Sequence, residues 1–323
     1  QGEPAWISND GKGNLAPVVY REDEPEAIGV LKKNYKYPDD LVGPAQEFYA
    51  GRSRDEVKTG WEIPINLGEV AKTSEARFSS EAAEQGYWEP AGYPMKSGLG
   101  IYFTEKYDPN RTPVVFVHGA VGSPNDFNDF LRKFDRKNFQ LWFYHYPSGR
   151  RLAEMGGGLD RGLRLLESHY GFSKVHIVAH SMGGLVSRYG ILQNEEAANP
   201  CMGRFVSISS PFGGQEFAAT GVKRAPSVVP SWRDIEPESE FLEDIFKKKL
   251  KGEVPYLLIY GDKASSGWGL PAENDGTLSV KSMTRPEAVN DAVKVKKYHE
   301  DHVSILSNPS VIRQVEAFLR AGG

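Results

Sequence analysis

The chain has 323 residues, of which 39% are hydrophobic and 25% are charged, and its formal net charge is −4. This composition is ordinary for a soluble globular protein with one large domain, or with one domain and an extension. The charge gives no reason to expect nucleic acid or an anionic membrane as a partner, and no apolar run reaches the roughly 18 residues of a membrane-spanning helix. A single cysteine, Cys201, excludes an intrachain disulfide framework and a cysteine-based metal cluster, and its place before an apolar strand predicts a buried thiol.

The chain begins with Gln1 rather than methionine, which indicates a processed or trimmed start. A removed signal peptide would explain such a start, and so would a chain shortened for recombinant expression. Localisation stays open, with an exported protein, whether periplasmic, lipid-anchored or secreted, as the favoured reading.

The first third of the chain, residues 1–97, predicts an extension packed on the main domain rather than an independent fold. Its opening residues are rich in proline, glycine and charge, with short helices predicted near residues 24–33 and 40–49. An alternating pattern then predicts a strand over residues 61–67, and a helix is predicted near residues 79–85. The segment lacks the apolar residues that a separate core would need.

From residue 98 to residue 323, apolar runs alternate with helical patterns in what we predict to be the main domain. Strands are predicted at 100–103, 113–117, 139–146, 175–178, 204–209, 255–260 and 292–297, and helices at 127–134, 152–170, 185–192 and 311–319. Such alternation is typical of an α/β protein with a mostly parallel central sheet and helices on both faces. Active sites in such sheets form at the carboxyl ends of the strands, where His118, Tyr146 and Ser181 fall.

The stretch around Ser181 has the layout of a nucleophile elbow, a sharp turn that presents a serine between a buried strand and a helix. A turn this tight needs small residues two positions before and two positions after the serine, and Ala179 and Gly183 occupy them. The usual pattern has glycine in place of Ala179, but a methyl group satisfies the same steric requirement. The helix N-terminus behind the turn favours developing negative charge.

Residues 213–252 interrupt the alternation and predict an insertion that covers the carboxyl edge of the sheet as a cap. The insertion contains a helix with an apolar face at residues 241–246, with glutamates at its start and lysines at its end, which suits the helix dipole. Four residues at strand ends and in the cap are the predicted substrate contacts, namely Gly119, Tyr146, Val229 and Trp232.

A serine nucleophile needs a general base, and the base needs an orienting carboxylate. Two histidines follow Ser181 in the chain, His299 and His302. We favour His302, because the apolar residues that follow it would anchor its loop into the core. The carboxylate has two candidates, Asp262 directly after its strand and Asp275 in a later loop.

An oxyanion hole needs two backbone N–H groups aimed at the developing charge. We expect one from Met182, directly after the nucleophile, and the other from Ala120, where Gly119 lets the backbone bend. His118 is expected to brace this loop rather than act as a base. His180 is expected to be packed or hydrogen-bonded locally.

Several stretches together resemble the bacterial lipase/esterase branch of the α/β-hydrolase superfamily, at residues 114–120, 179–184, 274–279 and 301–306. The Ala-His-Ser-Met-Gly elbow is similar to that of small Bacillus-type lipases. Further stretches look like those of exported, often lipid-anchored esterase/lipase-like proteins, at residues 100–103, 146–149 and 210–214. The resemblance covers about residues 61–320. It implies an α/β-hydrolase fold and ester hydrolysis through an acyl-enzyme without cofactor or metal, with Ser181, Asp275 and His302 at the catalytic positions.

The choice between the two aspartates rests on a sequence pattern common among hydrolases, Gly-Asp-x-Asp-x-x-Val-Pro. In this pattern the second aspartate is the carboxylate that orients the catalytic histidine. Gly261 and Asp262 match its first half, and residues 275–279 match its second half after an insertion. Asp275 is therefore the predicted orienting carboxylate, and Asp262 is predicted to be a turn or capping residue.

The sequence thus predicts a serine carboxylic-ester hydrolase, an esterase or lipase, with a small-molecule or lipid ester as substrate. Phospholipid acyl chains, thioesters and amides are alternative substrates, since the same constellation of residues serves all of them. A catalytically silent hydrolase-like binding protein is the alternative of another class, against which the intact serine, aspartate and histidine argue. A peripheral contact with a lipid surface is compatible with such a substrate.

Overall fold

The computed structural model describes residues 3–9, 14–20, 65–90, 98–215, 218, 229–250, 252–264 and 271–321. Within these residues, ten strands form one sheet: β1 (Glu3–Asn9), β2 (Asn14–Tyr20), β3 (Ile65–Val70), β4 (Leu99–Phe103), β5 (Thr112–Val117), β6 (Phe139–His145), β7 (Val175–His180), β8 (Met202–Ile208), β9 (Tyr256–Gly261) and β10 (Lys294–Tyr298). Their order across the sheet is β1-β2-β3-β4-β6-β5-β7-β8-β9-β10.

The six strands on one side of this sheet, from β6 to β10, are parallel to one another. Strand β4 is antiparallel to β6 and parallel to β3. The carboxyl ends of β5, β7, β8 and β9 therefore meet at one edge of the sheet. The residues that follow these strands there are His118, Ser181, Ser209 and Asp262.

Helices cover both faces of the sheet. They are α1 (Ser80–Trp88), α2 (Asn128–Lys133), α3 (Leu152–Tyr170), α4 (Gly183–Asn194), α5 (Pro230–Ile235), α6 (Glu240–Lys247), α7 (Val280–Met283), α8 (Pro286–Asp291) and α9 (Pro309–Arg320). Successive residues of a strand face opposite sides. Val115 and Val117 of β5 accordingly join a core with α3, α4 and α6, whereas Val114 and Phe116 join a second core with α2 and α9. The predicted mostly parallel sheet with helices on both faces is confirmed.

Helix α3 begins and ends at the residues predicted from the sequence. Leu159, Leu163 and Leu166 recur on one face at helical spacing, and all three are fully buried. Gly171 then adopts a left-handed conformation with φ 68°, and its N–H donates to the Glu167 carbonyl, which ends the helix.

Several elements differ from the sequence-based prediction. Strands β1 and β2 come from a region in which the sequence predicts only short helices, and the helices predicted at 24–33 and 40–49 lie outside the described residues. The strand predicted at 61–67 is observed as β3, and residues 61–64 also lie outside the described part. The short helices α7 and α8 are not predicted. Although β1, β2 and β3 belong to the same sheet as the later strands, the domain boundary at residue 98 stays a prediction.

A buried arginine ties helix α4 to the cap. The Arg188 guanidinium donates to the carbonyl oxygens of Ile245 and Lys248 at 2.9 Å each, at the end of α6. It also forms a buried ion pair with Asp291 at 2.7 Å, and its charged carbon lies 4.1 Å from the centre of the Phe246 ring. These contacts join α6 firmly to the helix that follows the elbow.

Cys201 is buried, as predicted, and burial raises the pKa of its thiol to about 12. In the part of the chain that the structure describes, no helix has both the length and the apolar character needed to cross a bilayer.

Candidate active site

Ser181 occupies the sharp turn between β7 and α4. Its φ of 53° lies in the left-handed region, which is unfavourable for a residue with a side chain and is concentrated at functional sites. The Ser181 N–H donates to the Ile208 carbonyl at 2.9 Å, which holds the turn against β8. A β-carbon on Gly183 would lie 2.4 Å from the carbonyl oxygens of Val117 and His118. Only glycine therefore fits two places after the serine.

The imidazole of His302 reaches Ser181 from a loop 121 residues further along the chain. Its Nε2 lies 3.0 Å from Ser181 Oγ, and its Nδ1 lies 2.7 Å from Oδ2 of Asp275. Because an ionised carboxylate can only accept, Nδ1 carries the proton and Nε2 is left to accept from the Ser181 hydroxyl. The loop is anchored three residues later by Ile305, which is fully buried. The structure thus brings the predicted serine, histidine and aspartate together.

The Asp275 carboxylate is buried in a tight loop that surrounds it with donors. Its Oδ1 accepts from the N–H groups of Thr277 at 3.0 Å and Leu278 at 2.8 Å, and Gly276 makes the turn with φ 89°. Burial would raise the pKa of Asp275, but the hydrogen bonds from His302, Leu278 and Thr277 outweigh it and lower that pKa below its ordinary value. An ionised carboxylate therefore faces the imidazole.

The backbone of His302 is held from both sides. Its N–H donates to the Asp275 carbonyl at 2.8 Å, and its own carbonyl accepts from Nε2–H of His180, also at 2.8 Å. Burial, together with the neighbouring His302 ring, lowers the pKa of His180 to about 3, so His180 is neutral. The sequence predicts a locally bonded His180, whereas its partner is 122 residues away in the chain.

The loop after β5 lies directly against the nucleophile. A β-carbon on Gly119 would lie 2.7 Å from Ser181 Cβ and 3.2 Å from Ser181 Oγ. Among the described residues, the N–H groups of Ala120 and Met182 have no hydrogen-bond acceptor. A role of the two amides in binding a substrate stays a prediction.

Two exposed valines adjoin the loops that contact Ser181. Val121 has φ 54°, which is strained for a β-branched residue, and its side chain is 40% exposed. Its N–H donates to Oγ of the buried Ser148 at 3.0 Å, which holds the strained conformation. Val303, next to His302, is 70% exposed. Apolar surface is thus presented beside both loops.

His118 and Tyr146 brace the loop after β5. His118 Nδ1–H donates to the Gly119 carbonyl at 3.0 Å, and its Nε2 accepts from the Tyr146 N–H at 3.4 Å. Burial lowers the pKa of His118 to about 4, so it is neutral, in agreement with a bracing role. The Tyr146 hydroxyl donates to the His118 carbonyl at 2.7 Å. Tyr146 is only 1% exposed and supports His118, and its contact with a substrate stays a prediction.

Asp262 has other partners than His302. Its carboxylate pairs with Lys297 Nζ at 3.0 Å and lies 3.1 Å from Nδ1 of the exposed His299. The hydrogen bond from Lys297 lowers the pKa of Asp262. Of the two candidate aspartates, the structure therefore places Asp275 against the imidazole that contacts Ser181.

Val229 and Trp232, the predicted substrate contacts of the cap, lie at α5. Val229 is buried, and the Trp232 indole N–H donates to the Tyr87 hydroxyl at 2.6 Å. The Trp232 ring also meets the ring of Trp88 edge to face, with centroids 5.8 Å apart. These contacts fix Trp232 to α1, and a contact of either residue with substrate stays a prediction.

A cavity of about 480 Å³ adjoins the loop that carries Asp275. Its walls come mainly from residues 213–215 and from the segment between residues 277 and 287. None of the predicted catalytic or substrate-binding residues lines it. Nowhere in the described ranges do three histidine, cysteine, aspartate or glutamate side chains come together in a way that would hold a metal ion.

Sequence reasoning missed two residues of this site. Ser148 lies just after the carboxyl end of a parallel strand, and this position would have indicated that it belongs to the site. No sequence pattern connects His180 with the His302 carbonyl, because their contact depends on how the end of strand β7 meets a distant loop.

The mostly parallel sheet with helices on both faces, and the serine, histidine and aspartate at its carboxyl edge, define the chain as an α/β hydrolase. Residues 150–321 match the family described as alpha/beta hydrolase of unknown function (DUF915), and the chain belongs to this family. The fold class predicted from the sequence is confirmed.

Solved structures and a curated relative are similar to the chain at low identity. The mature form of the lipase BlEst2 from Bacillus licheniformis is 20% identical, with a TM-score of 0.54 over 68% of this chain and 97% of that chain. The propeptide form of that lipase gives the same TM-score of 0.54 over 68% of this chain and 52% of its own. The dihydrolipoyllysine-residue acetyltransferase component of the acetoin cleaving system from Pseudomonas putida is 24% identical over 272 residues, 77% of this chain and 71% of that protein. The resemblance to the bacterial lipase/esterase branch holds at the level of the fold.

Proposed function

We propose that this protein is a serine carboxylic-ester hydrolase, an esterase or lipase that works through an acyl-enzyme. The observation that carries the proposal is the unbroken hydrogen-bond chain from the Asp275 carboxylate through His302 to Ser181 Oγ. Nucleophilic acyl transfer needs a serine, a base and an orienting carboxylate in this order and at these distances.

In the first half of the reaction, His302 Nε2 takes the hydroxyl proton as Ser181 Oγ attacks the carbonyl carbon of the ester. The carbonyl oxygen becomes an oxyanion, to which the N–H groups of Ala120 and Met182 donate. The ionised Asp275 carboxylate stabilises the imidazolium. His302 then gives the proton to the leaving alcohol oxygen, and the acyl group stays on Ser181.

In the second half, His302 takes a proton from a water molecule, whose oxygen attacks the acyl carbon. The bond to Ser181 Oγ breaks, the carboxylic acid leaves, and the proton returns from His302 to Oγ. The exposed side chains of Val121 and Val303 favour a substrate with an apolar acyl or alcohol part. Val229 and Trp232 are proposed as further contacts from the cap.

The test measures hydrolysis of p-nitrophenyl acetate, butyrate and octanoate by the wild-type protein and by Ser181→Ala. Loss of the nucleophile of such a unit lowers kcat by about 10⁶-fold, and the melting temperature should stay unchanged. Mass spectrometry after rapid quenching should find the acyl group on Ser181. Retention of a tenth of the activity by Ser181→Ala would contradict the assignment.

The substrate class is tested with thioester, phospholipid and amide analogues of the same acyl chain. Faster turnover of one of these would move the assignment to that class, since the mechanism is shared. If the wild-type protein turns over none of them, a silent binding protein becomes the better description.

A further inference from the structure

We propose that His180 is a positioning residue, which fixes the backbone of His302 so that the imidazole stays aimed at both Ser181 and Asp275. The inference rests on the proposed function, because it takes His302 as the general base. His180 itself is buried, with 6% of its surface exposed, so it acts through His302 rather than on a substrate.

The hydrogen bonds around His302 fix the peptide groups on both sides of its α-carbon. The preceding one is held by the bond from its N–H to the Asp275 carbonyl, and the following one by the bond from His180 Nε2–H to its carbonyl, each at 2.8 Å. Beyond this point, Val303 is exposed and its N–H bonds to Asp301 Oδ1 of the same loop at 3.1 Å. His180 therefore supplies a hydrogen bond between the carboxyl side of His302 and the sheet, in addition to the apolar anchor at Ile305.

The chemistry of His180 suits this role because it donates without carrying a charge. A carbonyl oxygen can only accept, so Nε2 of His180 carries the proton. The centroids of the His180 and His302 rings are 4.8 Å apart, and a cationic ring at that distance would oppose proton uptake by His302 during the reaction. Burial keeps His180 neutral, since it lowers the pKa of that ring to about 3.

The position of His180 in the chain gives it a second property. It is the last residue of β7 and directly precedes Ser181, so one rigid strand end carries the nucleophile and holds the backbone of its base. One short covalent segment and one hydrogen bond thus connect Ser181 with the backbone of His302.

The experiment compares two substitutions at His180. His180→Phe keeps a flat ring and removes the donor, whereas His180→Gln keeps an N–H group that reaches the same carbonyl. His176→Phe is the matched control, because His176 is another neutral histidine of β7, whose Nδ1 accepts from the Arg204 N–H at 3.0 Å and which does not contact His302.

Three readouts are measured for each protein: the melting temperature, kcat and KM for p-nitrophenyl butyrate, and the proton NMR resonance of the His302 Nδ1–H. A hydrogen bond to a carboxylate moves that resonance far downfield. We expect His180→Phe to lower kcat by about 10- to 100-fold, since a misplacement of about 1 Å has effects of that size. KM should change little, and the downfield resonance should weaken or disappear.

His180→Gln should recover most of kcat and of the resonance, and His176→Phe should retain both even where its melting temperature falls. A wild-type kcat and resonance in His180→Phe would overturn the proposal. Equal losses in the Phe and Gln variants would overturn it as well. If His180→Phe does not fold, His180→Asn, whose shorter amide cannot reach the carbonyl, replaces it in the comparison with His180→Gln. If the wild-type protein hydrolyses no ester, the proposed function fails, while the resonance still decides whether His180 holds His302.

Discussion

Gly119 and Ser181 lie so close together that a single methyl group on the glycine would overlap the nucleophile, at 2.7 Å from Ser181 Cβ. Ser181 cannot withdraw, because its N–H is bonded to Ile208 and its φ is fixed by the elbow. Any side chain at position 119 must therefore displace the loop that carries Ala120. The alignment of the proposed oxyanion donors, Ala120 and Met182, with Ser181 Oγ therefore depends on this one glycine.

Gly119→Ala should accordingly lower kcat by about 10²- to 10³-fold, the usual effect of losing one oxyanion-hole donor. The measurement is kcat for p-nitrophenyl butyrate, with labelling of Ser181 by a fluorophosphonate as a second readout. Gly157→Ala in helix α3 is the control, because a β-carbon there meets no atom closer than 3.9 Å. That variant should keep kcat and gain up to about 1 kcal/mol in the free energy of unfolding. A wild-type kcat in Gly119→Ala would remove Ala120 from the oxyanion hole.

Asp275→Asn should lower kcat by about 10⁴-fold, because neutralising the orienting aspartate of a serine protease has an effect of that size. The asparagine amide would present an N–H to His302 Nδ1 and favour the wrong tautomer. Asp262→Asn is the control and should cost less than about tenfold, since its carboxylate contacts Lys297 and His299. The reverse ranking of the two variants would transfer the orienting role to Asp262.

Val121→Thr and Val303→Thr should each reduce the preference for octanoate over acetate esters. Threonine has the shape of valine but replaces one methyl group with a hydroxyl, and one buried methyl or methylene group is worth about 0.8 kcal/mol, or roughly fourfold. The readout is the ratio of kcat/KM for the two esters, which a general loss of stability would leave unchanged. Val70→Thr, at a valine that is 55% exposed on β3, is the matched control and should not alter the ratio. A constant ratio in all three variants would show that the exposed valines make no contact with the acyl chain.

The free energy of unfolding should fall as the pH is lowered from about 6.5 to about 4. In the unfolded chain a histidine takes up a proton near pH 6.5, whereas burial delays proton uptake to about pH 4 in His118 and about pH 3 in His180. The unfolded state binds more protons in this window, so each such histidine contributes a slope of about 1.4 kcal/mol per pH unit. Asp126 opposes this trend below about pH 6, because burial raises its pKa to about 6 and the folded state binds its proton first.

Urea unfolding between about pH 7 and pH 5 measures this slope. In His118→Gln the slope should decrease by about 1.4 kcal/mol per pH unit, because one neutral histidine is removed. A stability that stays constant or rises on acidification would contradict the assignment of neutral, buried histidines.

The elbow is predictable from the sequence because its causes are local. Ala179 and Gly183 must be small because larger side chains would collide with atoms a few residues away or at the end of the neighbouring strand. The strand and helix patterns on either side of Ser181 are unambiguous. His302 is predictable because few histidines follow Ser181 and an apolar residue, Ile305, anchors its loop. Between Asp275 and Asp262 the residues alone leave a choice, which a layout shared with other hydrolases resolves in favour of Asp275.

The remaining features depend on contacts between distant segments, which no local pattern encodes. The bond from His180 to His302 joins the end of strand β7 to a distant loop, and the buried Tyr146 ring stacks on His118 with centroids 4.3 Å apart. Strand β10 is predicted correctly, yet its exposure at the edge of the sheet follows only from the strand order. Local sequence patterns therefore predict the candidate catalytic residues, whereas the residues that position them depend on tertiary packing.

Arg188 determines how the cap can move. Lifting α6 away from α4 would break the hydrogen bonds from the buried Arg188 guanidinium to the carbonyl oxygens of Ile245 and Lys248, at a cost of about 1.5–3 kcal/mol for each bond to the charged group. Amide hydrogen exchange in α6 should therefore be as slow as in α4, with and without a phosphonate on Ser181. We therefore expect helix α6 to stay in place rather than to open as a lid. Any substrate selection that depends on α6 is therefore already fixed in the free protein and needs no movement of this helix when a substrate binds.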